Sequence, residues 1–191
     1  MAAARFGKRL LKKDTAVSIG VVYKLHSIIF KMSQPDIAGK LRRCEFKKLY
    51  HHLPPPASEV PRLIYQFGME LEEKAKKTGL DYLNEDEVGK IRNVVLFAAW
   101  ASHKISSIHP FADGNGRTAR LMLNFILEKF GLPPIIIATK VRNQYLKALS
   151  QIDTAEDYEP FVKIILNGIK EHFDRLEKRK LIYAKTKHRS D

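Results

Sequence analysis

Apolar positions in this chain recur mostly three and four apart, and that rhythm divides it into a series of amphipathic helical segments. Val17, Val21, Val22, Leu25, Ile28 and Ile29 form one stripe, with Asp14 or Thr15 placed to cap it and Gln34-Pro35-Asp36 to break it after Ser33. Residues 40–53 lose the rhythm. Leu41, Phe46, Leu49 and Leu53 stand among basic residues without a common face, which predicts a short β-hairpin or an extended loop. Pro54-Pro55-Pro56 then enforces an extended turn. A second helix is expected over residues 58–77, with Leu63, Ile64, Phe67 and Leu71 on its buried face and Thr78-Gly79 as its stop. Asn84 is expected to cap a third, whose first-turn Glu85, Asp86 and Glu87 suit the positive end of the helix dipole. That third segment is apolar nearly all round, from Ile91 through Val94, Phe97 and Trp100 to Ile105, so it reads as the buried central helix. A fourth runs from about Arg117 to a stop at Gly131, ahead of Pro133-Pro134. Residues 140–152 and 156–185 fit two more, the latter with Gly168 as a candidate break. The expected class is all-α with at most one small hairpin.

Composition narrows the picture. With 191 residues and 45% hydrophobic content, the chain supports one full core, with at most a short appendage. No segment approaches the run of about 20 apolar residues that a membrane span requires. The first thirteen residues carry scattered charges and no secretory-signal pattern. The single cysteine, Cys44, cannot form an internal disulfide, which fits a reducing compartment such as the cytoplasm. Thirty-four Lys and Arg against 21 Asp and Glu give a net charge of +13, favouring acidic partners. No nucleic-acid-binding signature accompanies that charge, so direct nucleic-acid binding is not expected.

Between the third and fourth helical segments the rhythm stops for His109-Pro110-Phe111-Ala112-Asp113-Gly114-Asn115-Gly116-Arg117-Thr118-Ala119-Arg120. Glycines beside a helix N-terminus let successive backbone amides face one way and form an anion cradle. Arg117 and Arg120 are three apart on the first turn, and each guanidinium is suited to gripping phosphate oxygens. Asp113 is a hard oxygen ligand for Mg²⁺ just ahead of the cradle. His109 is a base that titrates near neutrality, and the Asn115 amide is a donor for a phosphoryl oxygen. Other histidines are assigned no such chemistry: His103 reads as a satisfied helix residue, and His51-His52 as flap or surface.

These twelve residues match the signature of the Fic family at every specified position, and the chain resembles Fic-domain proteins from about residue 15 to 170. Leu25-His26, the Ala38-Gly39-Lys40 turn, the proline run and Arg142-x-x-Tyr145 are similar to elements of that family. The resemblance implies a helical Fic domain over 15–170, flanked by a basic extension (1–14) and a basic helix or tail (171–191). It also implies transfer of AMP from ATP, with Mg²⁺, to a Ser, Thr or Tyr hydroxyl of a target protein. His109 is then the general base and Asp113 the metal ligand. Gly114, Asn115 and Gly116 form the anion hole, Arg117 and Arg120 bind the outer phosphates, and Tyr145 borders the adenine. Arg43, Cys44, Glu45 and Phe46 resemble the flap that pairs with the target peptide. Gly116, where the related Doc branch has Lys, favours nucleotidyl transfer over phosphorylation.

Two departures stand out. Leu146 and Asp153 replace a Tyr and an Asn common in relatives, which implies a different base pocket. No inhibitory Ser/Thr-x-x-x-Glu-Gly/Asn segment is found before residue 40 or over residues 168–191, so inhibition in cis is not expected, and any control is expected from a separate antitoxin-like protein or from further sequence. Alternative functions are a basic nucleotide-binding or interaction module without turnover, another nucleotide donor, or removal of AMP. The cytosol, the chain's own or a host's, is the expected location. Arg42, Arg43, Lys47 and Lys48 suggest an acidic target surface.

Overall fold

The computed structural model describes residues 15–47 and 52–187 (with side chains up to 180, Tyr82 excepted). The expected N-terminal extension (1–14), the last four residues and residues 48–51, including Lys48, Leu49 and His51, lie outside them.

Six α-helices are found among the described residues: α1 (Ile19–Phe30), α2 (Val60–Asn84), α3 (Glu87–Ile108), α4 (Asn115–Lys129), α5 (Arg142–Ala155) and α6 (Glu159–Lys187). Short 3₁₀ turns, Ala57–Glu59 and Thr139–Val141, lead into α2 and α5. No strand occurs among the described residues, so the expected hairpin is absent from 40–47 and from 52–56. Arg42 explains the extended course: its backbone N–H bonds the Pro110 carbonyl at 2.9 Å and its side chain is buried, which ties the segment to the domain rather than to a partner strand.

As its composition predicts, α3 is the central helix. It packs against α2, α4, α5 and α6, and α1 packs against α2 and α4. Small residues at its middle, Ala98, Ala99, Ala101 and Ser102, are fully buried and let neighbouring helices approach closely. Phe67, Leu71, Ile105, Met122, Leu123, Ile126 and Phe161 fill the space around them. Trp100 is only partly buried against this core, with Lys74 and Lys104 over its ring.

Several helix boundaries differ from the sequence expectation. Ser18, not Asp14 or Thr15, occupies the N-cap position of α1. Thr78-Gly79 does not end α2, which continues to Asn84. A glycine stops a helix when it turns left-handed, and Gly79 keeps a negative φ. Asn84 closes α2, its amide bonding the Leu80 carbonyl at 3.0 Å, while Asp86 caps α3 by accepting from Gly89 N–H at 2.8 Å. Gly168 does not break α6. It is a contact surface instead: a Cβ there would lie 2.8 Å from the Ile135 Cβ, so glycine lets α6 close on the segment after α4. The Gly131 stop is observed, with left-handed φ 81°.

Candidate active site

The twelve-residue motif spans the junction of α3 and α4, and three devices shape it. The first is the backbone. His109 follows α3 in the left-handed conformation (φ 50°, ψ 58°), an uncommon choice for a non-glycine residue that turns the chain sharply. Gly114, also left-handed (φ 76°), precedes α4, whose first-turn amides have no carbonyl one turn back to bond.

The second device is Asn115, which is buried. Its Oδ1 accepts from Phe111 N–H at 2.9 Å, and its Nδ2 donates to the Phe111 carbonyl at 2.8 Å. The carboxamide thus shapes the loop, with one of its two Nδ2 hydrogens committed to the Phe111 carbonyl.

The third device is a pair of buried polar side chains, His26 and Arg42. His26, on the apolar face of α1, accepts from Gly39 N–H at 2.9 Å through Nδ1 and so donates from Nε2 to the Asp113 carbonyl at 3.0 Å. Its ring stacks on Phe111, with centroids 3.8 Å apart. Burial pushes its pKa down, and the Asp113 hydrogen bond opposes this only in part. Arg42 is 3% exposed, and its guanidinium donates to three carbonyls: His109 at 2.7 Å, Cys44 at 2.9 Å and Pro55 at 2.6 Å. It is thus a strut and not, as expected, part of a target-facing charged surface. Desolvation lowers its pKa, which Glu45 partly restores.

On this frame the chemical groups are distributed as follows. His109 Nδ1 lies 3.2 Å from the Ser106 carbonyl. A carbonyl only accepts, so Nδ1 carries the proton and Nε2 the lone pair. A pocket of about 360 Å³ is lined by His109, Gly116, Arg120, Tyr145, Leu146 and Arg142, among others. Tyr145 is buried there edge-on to Phe161, and burial raises its hydroxyl pKa. Arg117 stands apart from this lining: it pairs with Asp113 at 3.0 Å and covers the Phe30 ring at 4.6 Å. Asp113 is well exposed and its Oδ1 accepts from Gly114 N–H, which leaves the carboxylate at the rim of the cradle.

The four expected flap residues separate. Phe46 reaches the site, edge-on to His109 at 5.0 Å. Arg43 and Cys44 are exposed, and Glu45 turns back to accept from Ala57 N–H at 2.9 Å. His52 is not a surface residue: it lines the pocket and donates from Nε2 to the Ser107 carbonyl at 2.9 Å. His103 is satisfied at Nε2 only, by Asp153 at 2.8 Å, while its buried Nδ1 has no hydrogen-bond partner among the described residues. That contact occupies Asp153, which is absent from the pocket lining. No cluster of three or more metal-ligating side chains occurs among the described residues. No helix among them is long and apolar enough to cross a membrane.

The sequence profile of the Fic/DOC family matches residues 16–127. The "Protein adenylyltransferase Fic" of Nematostella vectensis is 30% identical over 156 residues, 82% of this chain and 33% of that protein. Its namesake in Drosophila grimshawi is 28% identical over 90% of this chain and 32% of its own length. The chain thus spans about a third of the length of the curated relatives it matches. Among solved structures, Fic-1 (aa134 - 508) from C. elegans superposes with a TM-score of 0.67 at 29% identity, covering 94% of this chain and 50% of that one. A Fic domain containing signaling protein from Bacteroides thetaiotaomicron shares the fold, with a TM-score of 0.65 at 22% identity, over 88% of this chain and 65% of that one.

Proposed function

Because this chain belongs to the Fic/DOC family, we propose that it is a protein adenylyltransferase, moving AMP from ATP to a hydroxyl of a target protein. One observation carries the reading: a histidine whose Nδ1 faces a carbonyl, leaving Nε2 as the base, shares a pocket with Gly116 and the half-buried Arg120. In the proposed reaction the target hydroxyl gives its proton to His109 Nε2 while its oxygen attacks the α-phosphorus. The bond to the β-phosphate bridging oxygen breaks, and pyrophosphate leaves. First-turn amides of α4 and the guanidinium of Arg120 face the charge that grows on the phosphates. Arg117 clamps an outer phosphate once it leaves Asp113.

A hard, exposed carboxylate at the cradle rim fits a Mg²⁺ ligand, so Asp113 is the residue that would hold the ion. When bound, the ion supplies charge neutralisation at the phosphates. Gly116 supports transfer of the nucleotidyl group: a Cβ added there would already lie 3.3 Å from Arg120 Nη1, so glycine leaves this wall clear. Leu146 gives the nucleoside region an apolar side where relatives carry a Tyr. The names of the matched relatives support a protein acceptor.

The test is label transfer. The chain is incubated with Mg²⁺, a cell lysate and ATP labelled at the α-phosphate, beside His109→Ala. Protein-bound label that disappears in the variant is expected. Label only from γ-labelled ATP would replace the reading with phosphorylation, and tight nucleotide binding without label would replace it with a binding module.

A further inference from the structure

We propose that the groove beside the flap selects acceptor segments carrying acidic residues next to the hydroxyl, read by Lys40 and Arg43. This rests on the adenylyltransferase reading and names its substrate class.

Three observations support it. First, a groove of about 870 Å³ lies between the 36–43 segment, the start of α2 and the motif loop, with Ala112 in its wall. It reaches the site through Arg42, which lines the groove and holds the His109 carbonyl at 2.7 Å. One wall of the groove is therefore tied to the loop that carries the base. Second, the charge of the groove is one-sided. Lys40, Arg42 and Arg43 line it against one carboxylate, Asp36. Third, the cations divide by role. Arg42 faces inward and its guanidinium is committed to three carbonyls, whereas Lys40 and Arg43 are exposed. Burial of Arg42 fixes the segment, so that its neighbour Arg43 stands outward on an anchored backbone and not on a free loop. Glu45, the nearby acid, is turned back to Ala57 N–H and does not neutralise them. Lys47, also exposed, extends the positive run.

An arginine on an ordered support offers a planar fork that matches a carboxylate with two parallel hydrogen bonds. Lysine adds a mobile point charge on the same side. A segment with Asp or Glu flanking the acceptor is held in register, and a basic segment is repelled.

The experiment reads binding without turnover, so failure of the AMP-transfer reading and failure of this one are separable. A short fluorescein-labelled peptide with one central Thr and flanking Asp residues is titrated with the full chain by anisotropy, beside a neutral and a Lys-flanked counterpart. The acidic peptide is expected to bind best. Lys40→Glu/Arg43→Glu should weaken it roughly tenfold or more, the size of effect that reversal of interface charges gives. Arg175→Glu/Lys178→Glu on α6, which do not line the groove, should leave affinity within about twofold, as expected for screened, distant charges. Circular dichroism confirms that both variants fold. Absence of binding, equal binding of the three peptides, or equal loss in the two double variants would overturn the proposal. The last of these would reduce it to the general attraction of a chain with net charge +13.

Discussion

Arg42→Ala is the most informative single substitution at this site. Removing the guanidinium leaves three carbonyls, those of His109, Cys44 and Pro55, without their donor in a place that is 3% exposed. Hydrogen bonds to a charged group contribute roughly 1.5–3 kcal/mol each. Their sum overstates the loss, because the native chain already carries the cost of burying a cation and because water enters the truncated site. Breaking a comparable buried charged network costs about 3–5 kcal/mol. At this chain length a loss of that size lowers the melting temperature by about 6–20 °C. Arg42→Lys retains the charge but its single ammonium does not span three divergent acceptors, so it should fall between the two. Melting is followed by circular dichroism and label transfer is measured below both transitions. Arg42→Lys should fold and yet label targets more slowly, since the left-handed turn at His109 has lost its brace. An Arg42→Ala chain that melts within about 2 °C of the parent, under 1 kcal/mol on the same scale, would refute the strut assignment.

Two further predictions concern the frame. Burial holds the pKa values of both His26 and His103 down, although Asp153 opposes this for His103. An unfolded histidine titrates near about 6.5, so below that pH the unfolded chain takes up protons that the fold refuses; stability is full above about pH 6.5 and falls below it. Melting temperatures between about pH 8 and pH 5 should decline on the acid side, and a flat profile would contradict the burial argument. Two glycines should respond in opposite directions. Gly79→Ala in α2, where a Cβ meets nothing within 4 Å, should raise stability by about 0.5–1 kcal/mol. Gly114→Ala should lower it by more than about 1–2 kcal/mol, since φ is 76° and the Phe30 ring occupies the space of the new methyl. Denaturant titration of the pair checks both signs.

The elements that the sequence revealed are those where one residue pattern has one physical outcome. A segment as apolar round its circumference as 91–105 has the centre of the domain to occupy, and α3 is there. The junction of glycines, acid and arginines could be placed between two helices because its flanks kept their period. Groups with two possible partners were not legible. Arg42 looked like its neighbour Arg43, and no periodicity distinguishes a buried strut from a solvated cation in an irregular segment. Asn115 carries a donor and an acceptor, and which group they serve depends on a turn that brings Phe111 within reach. His26 lay on an apolar stripe, a signal of burial, but its partners are 13 and 87 residues away. Gly79 and Gly168 show the same lesson: glycine marks a helix end or a close approach, and only the packing decides which.

The clamp between Asn115 and Phe111 has a consequence for the lifetime of the protein. Asn115-Gly116 is the dipeptide that flexible chains lose fastest to deamidation, because an unhindered glycine nitrogen attacks the asparagine carboxamide and closes a succinimide ring. Here that attack would have to break both bonds to Phe111 and unwind the first turn of α4. Each transient opening of the loop exposes the bond to irreversible ageing, so the rate of deamidation at Asn115 reports the fraction of time the cradle stands open.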